Sequence, residues 1–310
     1  MSDLVRLRSR RGFVLLTTLW IITVAAVTAL GAALVGRHAI LAGAARVELE
    51  RGRWQALGCE RRVEAAIDFA LDSAPTSADE RIVWRILPQA LLGSPLLAGC
   101  DVSLEAAGTR LDVNDAPEEM LIRLFDAIGL EAEALSLADA LEDWIDPDDD
   151  PRPFGAEREW YESAGRLAPR NDSVADIREL SRVRGFDAIG PIDSLTTTSP
   201  GRVSLATAPV SVLMSVPGIT RETAEAIVAM QRAGAPIDAL RSIVGSISEQ
   251  SAAGLAARYS DAERLTTPDP DAWLVRVRVA RGQPRVAVRL EWRVIRAGRG
   301  CIVASTRSQL

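Results

Sequence analysis

Hydrophobic and polar positions divide the chain into stretches of different period. Residues 13–35 carry no charge. A helix of that length reaches ~34 Å at ~1.5 Å per residue, enough to cross a hydrocarbon core of ~30 Å. Beyond it the apolar positions fall to a helical spacing through Arg46, Val47, Leu49, Trp54, Leu57, Val63, Ile67 and Phe69, and the pattern stops near Ser73-Ala74-Pro75. One helix of about 60 residues is predicted, apolar all round in its first half and amphipathic in its second.

Later stretches change period. Val102 to Ala106 and Arg110 to Asn114 alternate weakly about Gly108, which predicts one or two short strands. Trp273 to Ala280 and Arg285 to Val294 alternate on either side of Gly282-Gln283-Pro284, a hairpin with one apolar face, and Cys301 to Ala304 reads as a last strand. Between them, roughly 115–265, lies a helical block with a weak internal repeat. Leu111-Asp112-Val113-Asn114-Asp115-Ala116-Pro117 leading to Ile128-Gly129-Leu130 parallels Val203-Ser204-Leu205-Ala206-Thr207-Ala208-Pro209 leading to Val216-Pro217-Gly218-Ile219. Asp115 and Thr207 are read as helix N-caps, with Pro117 and Pro209 in the first turns. Helix, Pro-Gly-Ile hairpin and helix make a helix-hairpin-helix shape. The expected fold is α+β: a long N-terminal helix packed on an antiparallel sheet, with a large all-helical inserted domain containing helix-hairpin-helix-like repeats.

The residues in front of the apolar run sharpen its meaning. Arg6, Arg8, Arg10 and Arg11, opposed by Asp3, keep the first twelve residues cytoplasmic and send the rest across the membrane. A cleavable secretory signal would have a shorter apolar core with its small residues after it; here Gly12 precedes the core. An ordinary anchor accounts for the hydropathy but not for Gly12-Phe13 at the boundary. The segment resembles the type IV prepilin family, whose basic leader ends in Gly. That resemblance implies cleavage by a prepilin peptidase between Gly12 and Phe13 and N-methylation of Phe13. Loss of four Arg and one Asp would move the formal charge from -6 to -9. Most pilins carry Glu as the fifth mature residue, where this chain has Thr17. A buried carboxylate is costly unless paired, so its absence suggests a subunit with no neighbour on one side.

Composition narrows the function. All 36 basic residues are Arg, and the net charge of -6 argues against a nucleic-acid partner, which would call for a basic face. The single histidine, His38, removes most Ser-His-Asp and Cys-His schemes, because their base is an imidazole. Cys59, Cys100 and Cys301 lack zinc-site spacing.

The most chemically loaded stretch runs from Asp143 to Tyr161. Nine acids and no base lie between Glu131 and Asp150. Crowded carboxylates repel, so they lie in water or a cation holds them. Asp146, Asp148 and Asp150 alternate as hard-oxygen ligands do, and Glu157 stands twelfth counted from Asp146, the spacing of an EF-hand loop. Pro151 stands where that loop needs Gly, which favours a Pro-stiffened Ca²⁺ loop instead. A solvated acidic turn and a paired-carboxylate glycosidase site are the alternatives.

Trp144-Ile145-Asp146 with Asp148, Pro151-Arg152-Pro153, Gly155-Ala156-Glu157 and Tyr161 resembles the general secretion pathway protein K family, the large minor pseudopilins of bacterial type II secretion. Asn171, Arg178-Glu179-Leu180, Val183-Arg184-Gly185 and the segment from Val203 to Pro209 extend the likeness. It implies a pilin fold carrying a helical insertion, calcium held by Asp146, Asp148, Asp150 and Glu157, and assembly with other minor pseudopilins at the pseudopilus tip. A periplasmic disulfide is also implied; Cys59–Cys100 and either pairing with Cys301 stay open. The expected division is a leader at 1–12, a transmembrane half-helix at 13–35, pilin-like parts at 36–110 and 269–310, and an insertion at 111–268. The chain is thus expected in the bacterial inner membrane, its bulk periplasmic, as a non-enzymatic subunit. A tip pilin of a type IV pilus and an anchored periplasmic hydrolase using Asp146 and Glu157 are the competing functions.

Overall fold

The computed structural model describes residues 13–282, 285–298 and 300–304 in full and the backbone of 3–12 and 305–309. The expected leader, Gly12 included, lies outside the fully described residues. Helix α1 (Asp3–Asp72) is unbroken, and 60 of its residues follow the expected cleavage point, Phe13–Asp72. It stops as the sequence predicts: Ser73 and Ala74 fold back onto the carbonyls of Phe69 and Leu71, and Pro75 excludes the helical conformation from the residue before it. Helices α2 (Ser77–Arg85) and α3 (Leu87–Ala90) lead to strand β1 (Asp101–Ala106). Thr76 caps α2 by accepting from the Asp79 amide.

The insertion then runs through β2 (Leu111–Asp112), α4 (Glu118–Ala127), α5 (Ala134–Ile145), α6 (Arg158–Ser163), α7 (Phe186–Ile189) and β3 (Thr196–Thr197). A second pass follows as β4 (Val203–Ser204), α8 (Val210–Ser215), α9 (Arg221–Arg232), α10 (Glu249–Ala257), α11 (Tyr259–Leu265) and β5 (Thr266–Thr267). Strands β6 (Trp273–Arg281), β7 (Val286–Ala297) and β8 (Gly300–Gln309) close the chain. The main sheet is antiparallel in the order β1-β6-β7-β8.

Because β1 and β6 are neighbours, with Ala106 opposite Trp273 and the Ala107 amide donating to the Ala272 carbonyl at 2.9 Å, the insertion leaves and rejoins the sheet at one point. Its span is 107–272, a few residues wider at each end than the expected 111–268. Each lobe has its own core. Cys59, Val63, Ile67 and Leu71 of α1 pack on Val275, Val277, Leu290 and Trp292 of the sheet, while Leu121, Phe125, Leu141, Val183, Leu213 and Ile227 belong to the insertion core.

The repeat is real and its details differ from expectation. The insertion is not all helical: β2 pairs β3 and β4 pairs β5, both parallel. Strand β2 falls in the weakly alternating stretch from Arg110 to Asn114, whereas β3, β4 and β5, two residues each, are too short to show a period of their own. Helices α4 and α8 begin after Pro117 and Pro209, and no side chain caps either one. Thr207 instead meets the Thr109 hydroxyl at 2.6 Å. The turns match across the repeat, with Gly129 at φ 87° and Gly218 at φ 84°, a conformation that costs any other residue. Val216 and Ile219 are buried and Gly218 lies against Arg258 of the chain before α11, so this hairpin is packed inside the insertion.

Candidate metal centre

The acidic loop spans the gap between α5 and α6. Helix α5 turns Leu137, Leu141 and Trp144 into the insertion core, and Asp139 and Asp143, four residues apart, share the buried side. Those two carboxylates receive the returning loop. Asp139 Oδ2 accepts the Phe154 amide at 3.0 Å, and Asp143 accepts the Arg152 amide at 3.2 Å. Gly155 is required by the approach: a Cβ there would sit 1.9 Å from Asp143 Oδ2. Arg184 holds the loop from outside, donating from Nη1 to the Gly155 carbonyl at 2.6 Å while stacking over the Trp160 ring. Tyr161, wedged edge-on against Trp144 and Trp160, fixes the start of α6.

Charge is distributed unevenly around this frame. Arg152 neutralises one side, with Nη1 at 3.0 Å from Asp143 and 2.5 Å from Asp146, and Nη2 at 3.5 Å from Glu142. Burial works against the Arg152 charge, but its hydrogen bonds to Asp146 and Asp143 outweigh it and raise its pKa. Burial also raises Asp143 and Glu142 above the usual carboxylate range. On the other side, among the described residues, Arg158 lies 3.7 Å from Asp149 and no ion pair reaches Asp148 or Glu157. There ligand oxygens of Asp146, Asp148 and Glu157 lie within 4.8 Å of one another. Glu157 is 3% exposed, and neither of its carboxylate oxygens has a hydrogen-bond partner. Asp146 Oδ1 and Asn171 Oδ1 are buried without partners as well. Burial first, then repulsion from Asp143, Asp146 and Asp149, pushes Glu157 up to about 7.

Buried oxygens are ordinarily paired, so the three left open on Asp146 and Glu157, with a fourth on Asn171 of the segment packed on the loop, need an explanation. Hard carboxylate and amide oxygens with no nitrogen or sulfur donor fit a divalent cation of the calcium type. Glu157 and Asp146, at the two ends of the loop, are brought together as their spacing predicts. Asp150 is not. Its amide donates to Asp148 Oδ1 at 2.9 Å, and this tight turn leaves the Asp150 side chain exposed and outside the group. Its place is open to Asn171, whose Nδ2 donates to Asp149 Oδ1 at 3.1 Å and whose backbone adopts φ 52°. Sequence spacing gave no route to Asn171 as a ligand, because it arrives from beyond α6.

The other expected sites lie elsewhere. Phe13 is 69% exposed on α1, and the Thr17 hydroxyl donates back to the Phe13 and Val14 carbonyls, leaving the span uncharged. A disulfide joins Cys59 of α1 to Cys100 at the start of β1, with the Arg62 guanidinium beside both sulfurs. Cys301 stands apart as a free thiol whose pKa burial pushes up to about 12.

Comparison with known proteins gives the following. Residues 102–189, which begin at β1 and include the whole metal centre, match the family model for type II secretion system (T2SS), protein K. Over 195 residues the chain is 31% identical to type II secretion system protein K of Klebsiella pneumoniae, an alignment taking in 58% of this chain and 59% of that one. Its fold is similar to a chain in the crystal structure of the GspK-GspI-GspJ complex from the enterotoxigenic Escherichia coli type 2 secretion system. The TM-score is 0.62 at 16% identity, covering 86% of this chain and 98% of the other.

Proposed function

We propose that this chain, a type II secretion system protein K homologue, is a minor pseudopilin that stands at the tip of the periplasmic pseudopilus and supports protein export across the outer membrane. The observation that carries this reading is one continuous helix with two surroundings. Its first part is apolar, uncharged and exposed on every side, long enough to cross a membrane; its second part is the backbone of a folded domain. A subunit of this shape can be held in the inner membrane and later lifted into a helical bundle without refolding. Arg6, Arg8, Arg10 and Arg11 favour a cytoplasmic N-terminus, and Gly12-Phe13 then lies where a prepilin peptidase cleaves and methylates.

Two further features support a terminal place. Thr17 offers no carboxylate to a neighbour, and the insertion adds a lobe of 107–272 to one edge of the sheet region, bulk that a repeating shaft contact would have to accommodate. Within that lobe Asp146, Asp148, Glu157 and Asn171 would hold the cation, tying α5, α6 and the segment beyond α6 together; its work is structural.

The test uses the full-length chain in detergent, co-expressed with the other minor pseudopilins of its system. Co-purification in a defined ratio and labelling at one end of assembled pseudopili are expected. Recovery of the chain alone, or label along the whole shaft, would overturn the reading.

A further inference from the structure

The face of the main sheet turned away from α1 is rich in arginine. Val275, Val277, Leu290 and Trp292 point to α1, so alternation puts Arg276 and Arg278 of β6 on the other face, with Glu291 and Arg289 of β7 directly opposite them. Arg293 shares that face, opposite Leu274. Three acids stand there, Asp101, Glu105 and Glu291, and two of them are engaged. Arg276 lies 2.6 Å from Glu105 and 2.5 Å from Glu291, and Arg110 reaches in to Glu105 at 2.5 Å. Arg278 stands between Asp101 and Arg289, and like charges facing each other across strands repel. Among the described residues no ion pair reaches Arg278, Arg289 or Arg293. Arg293 Nε is buried without an acceptor, where a buried donor is ordinarily paired.

The insertion overhangs this face and turns it into a groove. A hollow of about 620 Å³ lies over Arg276 and Arg289, walled by Asp176, Arg178 and Asp193 of the insertion. Through Thr197, Thr198 and Glu291 it adjoins a hollow of about 240 Å³ over Leu274 and Arg293. Through Ile177, Arg178 and Asp193 it adjoins a third, of about 280 Å³, whose wall is apolar with Leu180, Phe186 and Ile192. An apolar hole thus opens beside an arginine floor.

We propose that this groove binds a short acidic segment of a partner protein, with one large apolar side chain in the hole beside Phe186 and carboxylates on Arg289 and Arg293. Charge selects the partner. The chain carries a net charge of -6, so an acidic segment is repelled from most of its surface and steered to this floor. A guanidinium fork matches a carboxylate in shape as well as in charge. The walls select a peptide over a free phosphate: Asp176, Asp193 and Glu291 repel a doubly charged group but accept the amides that a peptide brings with it. Lipid is too far away. Arg281, at the membrane-side end of β6, pairs with Glu48, which stands about 20 Å of helix beyond Val35, and the groove lies farther along the strand.

The experiment adds short fluorescein-labelled peptides of Asp and Glu, with one Phe at each position in turn, to the full-length chain in detergent and reads fluorescence anisotropy. At least one is expected to bind about tenfold more tightly than its counterpart with Ala for Phe, and than its counterpart with Lys for every acid. Arg289→Gln and Arg293→Gln should each weaken that binding severalfold, while Arg61→Gln on α1 should leave it unchanged. Should Arg293→Gln fail to fold, the exposed Arg289 carries the test alone. No binding by any peptide, equal binding of the Lys peptide, or binding that Arg289→Gln leaves unchanged would overturn the groove. An equal response to inorganic phosphate, or binding to phosphatidylglycerol vesicles that Arg289→Gln abolishes, would overturn the peptide as its occupant. Self-association of the chain that the peptide displaces would overturn the partner in favour of a second copy.

Discussion

Glu157 meets two opposed demands. Helix packing puts it out of water, where an unpaired carboxylate is costly, and its neighbours Asp143 and Asp146 add repulsion. With a folded-state value of about 7 against an ordinary 4.5, the folded protein holds this proton more tightly than the unfolded chain does. Between those values, without a cation, stability therefore falls as pH rises. A bound divalent ion reverses the slope, since it takes the deprotonated form. Melting measured with Ca²⁺ and with chelator is expected to differ little at pH 5 and clearly at pH 8. In Glu157→Gln the difference should vanish at both, and at pH 8 in chelator the variant should melt at or above the unaltered protein. A Ca²⁺ shift that survives in Glu157→Gln would remove this residue from the centre.

At the scale of elements, the disulfide and the short strands show what sequence could and could not foretell. Cys59 and Cys100 are separated by 41 residues, and their bond ties the C-terminal part of α1 to the residue before the edge strand β1. Loop-closure entropy makes that link worth about 2–4 kcal/mol. Cys100→Ala is expected to lower the melting temperature by several degrees, as should reduction of the unaltered protein; no change in either would show that packing of Trp84 and Leu87 alone holds this region. The long helix, its stop before Pro75 and the hairpin of β6 and β7 were legible, because each shows a period over many residues or a proline that forbids continuation. The disulfide partner was not, since three cysteines allow three pairings. Nor were β3 to β5, two residues each, or the pairing of β2 with β3, which depends on segments far apart in the chain. Within the candidate metal centre, the meeting of Asp146 and Glu157 was legible from spacing. Asp150 stays outside the acidic group and Asn171 reaches the loop from beyond α6, because local turn chemistry, not alternation, decides where a loop side chain points.

The whole molecule has two cores whose chain passes between them at one place, and that architecture carries the last prediction. An insertion whose ends are hydrogen-bonded neighbours, Ala107 to Ala272, adds little constraint to the sheet that hosts it. The strands it separates are antiparallel and in register, the geometry a two-residue turn closes. Replacing 107–272 by Asn-Gly should therefore leave a helix-and-sheet unit with its own core of Val63, Ile67, Val277 and Trp292. Some stability will be lost, because the Arg81 and Arg85 ion pairs to Asp269, and that of Arg85 to Asp238, go with the insertion. Such surface pairs contribute at most about 1 kcal/mol each. The shortened chain in detergent is expected to melt cooperatively at a lower temperature with its sheet signal intact. If the shortened chain still co-purifies with the other minor pseudopilins but its label is found along the shaft, the bulk of the insertion accounts for the terminal place proposed above. If the shortened chain does not melt cooperatively, the two cores are one folding unit and the insertion is part of the scaffold itself.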